Sequence, residues 1–348
     1  IIGEVGAGLR YALSILNIGR AVSVPAICLG MAKQAWQPTL DRLNTRITFG
    51  EPLANRQTQR IRIGKMATNL FVMEALCELV WHMADQENYD VRMEAAVTKM
   101  FCSEQTIQFL NDAQIIFGGM GYETAESKQL RGEPAFELEQ LVRDATMYRI
   151  GEGATDVLRP FVAREALNFH LQRAHKVLEQ GFSGERLMDL LRFYVPWYVS
   201  LWRRQALDLG ALQRSGKMKR ILIYIESRSR ALARTTSYAM LLKHKTLQED
   251  QGRQNRIEMI GESLFALAAS ALHAQNINKS YGWDLANEYF RTEKQRIKRL
   301  LTEMLSNDDR QREKLGRQAV EGDFNALNEG VIKRGLKDYQ QNIQNNKE

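Results

Sequence analysis

The chain has 348 residues, of which 44% are hydrophobic and 26% charged, as in an ordinary globular protein with room for two domains. Three cysteines are too few and too scattered for a disulfide framework or a zinc site, so we predict no metal site and a reducing compartment. No unbroken apolar run approaches the roughly 20 residues of a transmembrane helix, which argues against a membrane-spanning protein.

The net charge of +7 is unevenly distributed along the chain. From residue 170 onward there are 31 Lys and Arg against 21 Asp and Glu, whereas the preceding residues hold 17 against 20. This change of sign predicts a boundary between a domain at 1–169 and a second at 170–348. The opening letters "IIGEVGAGL", which lack an initiating Met, predict that the chain is part of something longer.

Helix-forming residues dominate the first half, and we predict an all-α fold without strands. Apolar residues at helical spacing predict a first helix over about 5–36, with a kink or break at Pro25. The segment 49–57 is a connection in which Pro52 suits a first helical turn. Further helices are predicted at about 53–85, 88–117, up to about 147, and 154–168, with a loop at 123–136. Together they predict a four-helix bundle.

The second half is predicted to be a helical extension. Its helices are expected at 185–209, 216–247, 252–277, 281–306 and 324–341. The segment "LLRFYVPWYVSLWRR" combines basic residues with Trp and Tyr, which is typical of an interfacial helix in peripheral contact with a membrane. A core helix packed on the bundle is the alternative.

The stretch "YRIGEGATDVLR" places Glu152 between Gly151 and Gly153. One interpretation is an acidic residue in the first turn of a helix, where the helix dipole stabilises it by about 0.3–1 kcal/mol. The other is a catalytic base on a short exposed connection, where the glycines let backbone and substrate approach closely. The stretch taken alone leaves both open.

Four segments, in order, carry a family resemblance: "IGEVGAGLRYALSILNIGR", "TRITFGEPLANRQTQ", "QIIFGGMGY" and "LVRDATMYRIGEGATDVLR". Together they resemble the C-terminal helical domain of acyl-CoA dehydrogenases over roughly residues 1–168. The remainder of the chain resembles the C-terminal extension of the very-long-chain type. The resemblance implies a four-helix-bundle domain and, after it, a helical extension.

The resemblance also implies a role for Glu152. In the family, the carboxylate at the matching position removes the α-proton of the acyl-CoA thioester, and the β-hydrogen leaves as hydride to FAD. Asn17, Arg20 and Gly153 match positions near the substrate; the alternative for Arg20 is an ion pair within its helix. Ala154 stands where the family often has Thr, and Gly151 where an aromatic residue is common.

The cofactor-binding residues implied by the resemblance are Arg46, Thr48, Gln57, Gly118, Gly119 and Asp156. Arg46 and Thr48 match contacts to the phosphate and adenosine groups of FAD across a dimer interface, and a guanidinium fork suits phosphate. Gln57 matches a glutamine near the flavin, and the glycine pair lets the backbone pass close to the cofactor. The alternative for Arg46 and Thr48 is a capping and salt-bridge pair in a loop. The alternative for Gln57 is a solvated helix residue, and that for the glycine pair is a helix stop.

The implied activity is conversion of long-chain acyl-CoA to trans-2-enoyl-CoA in fatty-acid β-oxidation. The implied electron acceptor is an electron-transfer flavoprotein, and the implied assembly is a homodimer. The implied location is the bacterial cytoplasm or the mitochondrial matrix. The family's N-terminal helical domain and central β-domain are absent here, and 123–140 carries an insertion. We therefore expect this chain alone to bind FAD weakly and turn over little.

Two other functions are open besides catalysis. The basic segments "RSGKMKR" and "RTEKQRIKR" could contact the phosphates of a nucleic acid. Acidic residues interleave with these basic ones and no groove-reading motif is present, so nucleic acid is the weaker expectation. A helical module that only assembles dimers is the second alternative.

Overall fold

The computed structural model describes residues 3–86, 89–179, 184–202, 216–243 and 250–329. The chain divides into two compact units, Ile1–Leu305 and Ser306–Glu348. The described residues of both units are helical apart from one small hairpin, which confirms the predicted fold class.

The first unit begins with one long, locally irregular helix. Helix α1 (Gly8–Ile18) continues through a π-helical turn (Gly19–Ser23) into α2 (Val24–Thr45). The predicted break at Pro25 is wrong, because Pro25 lies in the first turn of α2, where a missing N–H is tolerated. The irregularity lies in the π turn just before it. Such turns often occur at functional sites.

A two-stranded hairpin comes after α2. Strand β1 (Ile47–Thr48) pairs antiparallel with β2 (Glu51–Pro52). Phe49 and Gly50 form the turn with φ of 51° and 83°, the left-handed pair that matches the twist of a tight hairpin. The predictions of no strand and of Pro52 in a helical turn are therefore wrong. Two-residue strands are too short to show an alternating pattern.

The remaining helices of the bundle surround an apolar core. They are α3 (Gln57–Ala84), α4 (Arg92–Phe117), α7 (Leu138–Ile150) and α8 (Thr155–Glu179). A short turn (Leu53–Asn55) precedes α3, and the predicted loop at 123–136 contains α6 (Ala125–Leu130) after α5 (Gly119–Tyr122). Met66, Leu76, Phe109, Leu110 and Leu138 are fully buried between these helices. The predicted end of the last helix at 168 is too early, since α8 runs to Glu179.

Within the described residues, the extension adds four helices to the first unit. They are α9 (Gly184–Ser200), α10 (Gly216–Lys243), α11 (Gln251–Ile277) and α12 (Ser280–Leu305). The predicted continuations through 203–209 and 244–247 lie outside the described residues.

Helix α11 joins the extension to the bundle, and buried residues of both share one apolar core. His273 of α11 contacts the Glu78 carboxylate of α3 at 2.8 Å, and its ring lies 5.0 Å from Phe71. The α8 residue Arg159 places its Nε 3.2 Å from Oε2 of buried Glu258 on α11.

In the part of the chain that the structure describes, two helical stretches are long and apolar enough to cross a membrane. In Gln251–Ile277 the most apolar window is 72% buried within the protein, as expected of a core helix. In Gly8–Thr45 it is only 29% buried. Within that stretch, however, Lys33 pairs with Glu74 of α3 and Arg20 bonds to the connection before α8. These polar contacts make Gly8–Thr45 a helix of the bundle.

The second unit begins with α13 (Asp309–Glu321), which ends at Gly322 in a left-handed cap with φ of 95°. A short turn, Asn325–Asn328, comes next. The sequence analysis missed α13, because this helix contains few apolar residues and buries none of its residues. The helix predicted at 324–341 lies outside the described residues from 330 onward.

Candidate functional site

Glu152 lies on the connection between two helices. Helix α7 ends at Ile150 and α8 begins at Thr155, so Glu152 precedes the helix and is not in its first turn. Its φ is 57°, a left-handed value that residues with a Cβ seldom adopt, and Gly153 comes next at 108°. Such strained backbone is concentrated at functional sites. The interpretation of Glu152 as a helix-turn residue is therefore wrong.

The Glu152 carboxylate lies directly against Gly19, the first residue of the π turn. A Cβ added to Gly19 would stand 2.5 Å from both carboxylate oxygens, so a side chain there would force the carboxylate to move. Oε2 is buried and has no hydrogen-bond partner among the described residues. An unpartnered buried oxygen is costly in free energy.

Arg20, one of the predicted substrate residues, contacts the backbone of Glu152, and Asn17 contacts Arg20. The Nε of Arg20 donates to the backbone oxygen of Glu152 at 2.7 Å, and its Nη1 donates to Oδ1 of Asn17 at 3.4 Å. The structure thus brings Asn17, Arg20, Glu152 and Gly153 together. Arg20 bonds across the fold to the connection, in addition to its contact within its own helix.

Lys99 is a residue near Glu152 that the sequence analysis missed. It is fully buried on α4, and its Nζ donates to the carbonyl oxygens of Gly153 at 2.7 Å and Arg149 at 3.3 Å. These two carbonyls flank Glu152 in sequence. Burial lowers the pKa of the Lys99 ammonium. The available signal was a lone lysine among apolar and small residues in "EAAVTKMFC".

Glu104, also on α4, holds both ends of the same connection. Its Oε1 accepts from the Thr155 hydroxyl at 2.9 Å, and its Oε2 pairs with Nε of Arg149 at 3.1 Å. The connection is therefore held by Arg20, Lys99 and Glu104. These contacts restrain Glu152 in its left-handed conformation.

The predicted cofactor residues Arg46, Thr48 and Gln57 lie around the hairpin. Arg56, which the sequence analysis did not select, donates from Nη2 to the Thr48 carbonyl at 2.6 Å and from Nε to its hydroxyl at 3.2 Å. Its guanidinium also stacks over the Phe49 ring at 5.2 Å. Arg46 is exposed, as is Gln57 at the first position of α3.

The glycine segment at the end of α4 has one open and one crowded part. Gly118 has a φ of 65°, and no atom lies within 4 Å of a Cβ built on Gly118 or Gly119. At Gly121 a Cβ would stand 2.8 Å from the Gln114 carbonyl oxygen. Arg42, at the end of α2, donates to the Phe117 carbonyl at 3.4 Å.

A second buried lysine holds the predicted insertion at 123–140. Lys128 of α6 donates to the carbonyls of Met120, at 3.2 Å, and Phe136. Burial lowers the pKa of this lysine as well. The insertion is therefore anchored against the glycine segment.

The predicted site residues fall into two groups within one chain. Lys99, beneath Glu152, and Phe117, beside Gly118, are 18 residues apart on α4, a separation of about 27 Å at 1.5 Å per residue. The hairpin group lies at the Phe117 end, because the Arg42 contact joins the ends of α2 and α4. Asp156 is exposed in the first turn of α8, close in sequence to Glu152.

Known proteins match this chain over both halves. The family model for the acyl-CoA dehydrogenase C-terminal domain matches residues 6–167. The probable acyl-CoA dehydrogenase FadE10 of Mycobacterium tuberculosis is 33% identical over 350 residues, which covers 95% of this chain and 52% of that protein. The mouse mitochondrial very long-chain specific acyl-CoA dehydrogenase is 34% identical over 163 residues, covering 47% of this chain and 23% of its own length.

A solved structure shows the same fold. An acyl-CoA dehydrogenase from Bacillus anthracis, crystallised with FAD, aligns over 90% of this chain and 53% of its own with a TM-score of 0.64 at 19% identity. The chain spans about half the length of the curated relatives that match along most of it. The matched domain and the relatives agree with the four sequence motifs, and the chain belongs to the acyl-CoA dehydrogenase family.

Proposed function

We propose that this chain is the C-terminal part of an FAD-dependent enzyme that converts long-chain acyl-CoA to trans-2-enoyl-CoA in fatty-acid β-oxidation. The observation that carries the proposal is the Glu152 carboxylate, held on a left-handed residue with a buried, unpartnered Oε2. Family membership and the dehydrogenase names of the relatives support the reaction class. The match to a very long-chain specific relative supports the substrate class.

Glu152 takes up the α-proton of the thioester on Oε2, and the carboxylate becomes a neutral acid. A base must lie close to the proton it removes, and geometry matters first. Arg20, Lys99 and Glu104 hold the connection in place, so the carboxylate needs little rearrangement before proton transfer. FAD, when bound, supplies the acceptor for the β-hydrogen, which leaves as hydride.

The residues proposed to hold FAD suit such a ligand. Gly118 and Gly119 leave open space where a side chain would stand, and Arg46 presents an exposed guanidinium suited to phosphate. The Thr48 hydroxyl and Gln57 add polar groups on the same hairpin and helix start. Asp156 is proposed as a further contact from the first turn of α8.

The separation of the two groups supports a homodimer. Because about 27 Å of α4 lies between Lys99 and Phe117, the Glu152 and Arg46 groups cannot surround one small centre within a single chain. We propose that Arg46 reaches a flavin held beside the partner's Glu152 position. The electron acceptor is proposed to be an electron-transfer flavoprotein, and the location the bacterial cytoplasm or the mitochondrial matrix.

The test uses the full-length protein, purified with FAD. Palmitoyl-CoA added without oxygen should bleach the visible flavin absorbance in wild type and in Glu126→Gln, an exposed control. Glu152→Gln should retain flavin and fail to bleach. Bleaching in Glu152→Gln would remove Glu152 as the base. A flavin-loaded wild type that no acyl-CoA bleaches would favour the non-catalytic alternatives, nucleic-acid binding or assembly.

Peripheral membrane contact through the extension is proposed on a separate observation. On α9, Met188, Val195 and Val199 are each about half exposed and fall on one helical face. Flotation with anionic vesicles should carry the wild type upward, and Val195→Ser/Val199→Ser should reduce this. Equal flotation of both proteins would exclude α9 as the membrane-contacting helix.

The domain division at 169/170 stays a prediction.

A further inference from the structure

The extension contains a wide cleft that the proposed reaction does not use. It has a volume of about 1250 Å³ and lies between α10 and α12. The lining residues recur every three or four positions on α10, from Arg220 to Arg234, and on α12, from Asp284 to Lys294. One face of each helix therefore forms a wall. From Arg220 to Arg234 the α10 wall extends about 21 Å at 1.5 Å per residue.

Cationic side chains dominate this lining. Five of them, namely Arg220, Arg230, Arg234, Arg291 and Lys294, face two carboxylates, Glu226 and Asp284. Glu226 is already paired with Arg230, and Arg291 pairs with Glu288 at 2.6 Å. Arginine stays protonated at any physiological pH, so the cleft keeps its positive charge.

Three of these cations have no carboxylate partner among the described residues. Arg220 bonds to the neutral amide of Asn287 and stacks over Phe290 at 5.3 Å. Arg234 donates to the Leu201 carbonyl at 2.6 Å and stacks over Trp202 at 4.4 Å. Lys294 is exposed. Aromatic rings and neutral oxygens thus orient the guanidiniums without neutralising them, which leaves their charge available to an anion.

An exposed aromatic ring lies at the Arg234 end of the cleft. Trp202 keeps 67% of its surface accessible although Arg234 stacks on it. An indole face beside guanidiniums suits a planar heterocycle that carries phosphates, because the ring stacks and the forks bind phosphate oxygens bidentately. The volume also exceeds what an isolated phosphate needs.

We propose that this cleft binds a nucleotide, that is, a planar base joined to at least two phosphates, with Trp202 stacking the base and Arg220, Arg234 and Lys294 binding the phosphates. The chemistry is shared by free nucleotides and by the nucleotide portions of larger cofactors. The site is separate from the Glu152 connection and from the hairpin.

The experiment measures ADP binding to the full-length protein by calorimetry. Arg220→Gln/Arg234→Gln should weaken the affinity by about tenfold or more, because each substitution removes a charged donor to phosphate. Arg299→Gln removes one charge from α12 outside the cleft and is the matched control, which should change the affinity less than about twofold. Lys294→Gln, at an exposed position, should also weaken binding and covers the case in which the double variant does not fold.

Pyrophosphate, adenosine and coenzyme A serve as the comparison ligands. Adenosine and pyrophosphate should each bind more weakly than ADP. Coenzyme A binding that is also lost in the cleft variant would identify a larger nucleotide-bearing molecule as the source. Equal ADP affinity in wild type and both cleft variants would overturn the proposal, as would no saturable binding. The nucleotide assignment would be overturned if pyrophosphate bound as tightly as ADP. It would also be overturned if the cleft bound single-stranded oligonucleotides or anionic vesicles but did not bind ADP.

Discussion

The Glu152 carboxylate rests on Gly19, a residue of the first long helix, at a point where the helix widens into a π turn. The position of the carboxylate depends on both residues. The glycine provides the space and the strained connection provides the carboxylate. The geometry of the proposed base therefore depends on a contact between the two ends of the bundle domain.

Gly19→Ala tests this contact directly. The new methyl group would stand 2.5 Å from both Glu152 oxygens, so the carboxylate must move. Since a shift of about 1 Å can cost about 100-fold in rate, we expect palmitoyl-CoA to reduce the flavin about 100 times more slowly in the full-length protein. Gly30→Ala, in α2 with open space around its Cβ, is the control and should keep the wild-type rate. An unchanged rate in Gly19→Ala would show that the carboxylate position is not important.

Lys99→Met removes the buried anchor of the connection. Two carbonyl oxygens, of Arg149 and Gly153, lose their donor, and we expect the free energy of unfolding to fall by about 1–3 kcal/mol. Flavin reduction should slow as well, because Glu152 lies between those carbonyls. Thermal melts and stopped-flow absorbance measure the two effects, with exposed Lys65→Met as the comparison. A variant that melts and reacts like wild type would contradict the anchoring role.

Two substitutions in the glycine segment distinguish the packing role of Gly121 from the proposed cofactor-binding role of Gly119. Gly121→Ala brings a methyl group to 2.8 Å from the Gln114 carbonyl oxygen, a backbone atom that cannot easily move, so the melting temperature should fall. Gly119→Ala meets nothing within 4 Å and should melt like wild type. If FAD passes close to this backbone, Gly119→Ala should bind FAD more weakly in an equilibrium titration. Unchanged FAD affinity would place the cofactor elsewhere.

Glu258 predicts a pH dependence of stability. Burial raises its pKa to about 8 from 4.5, nearby Glu262 adds to the rise, and Arg159 and Arg296 oppose it. The folded protein therefore holds this proton more tightly than the unfolded chain. Stability should fall as pH rises from about 4.5 through about 8, by an amount on the order of a few kcal/mol.

Glu258→Gln removes this titration while it keeps the volume of the side chain. The melting temperature of wild type should fall more steeply between about pH 5 and about pH 8 than that of the variant. Exposed Glu133→Gln should behave like wild type across the range. Parallel pH profiles for wild type and Glu258→Gln would show that Glu258 does not carry the effect.

The sequence by itself determined most of the helices, the candidate base and the family. Helix-forming composition and apolar spacing predicted most long helices within a few residues, because those signals repeat along each helix. Two helix ends were predicted too early, since α2 runs to Thr45 and not to 36, and α8 runs to Glu179 and not to 168. The glycine-flanked Glu152 stood out by residue type alone, and the four motifs identified the family. The hairpin and α13 were missed, since two-residue strands are too short to show an alternating pattern and α13 contains few apolar residues and buries none.

Tertiary structure alone decided what surrounds Glu152. Lys99 looks like an ordinary helix lysine until α4 packs beneath the connection and its ammonium reaches two carbonyls. Gly19 looks like a helix irregularity until the carboxylate lies against it. The separation of the Arg46 group from Glu152 likewise results from the length of α4. A sequence specifies local backbone preferences and residue chemistry, whereas contacts between distant residues arise only when the helices pack.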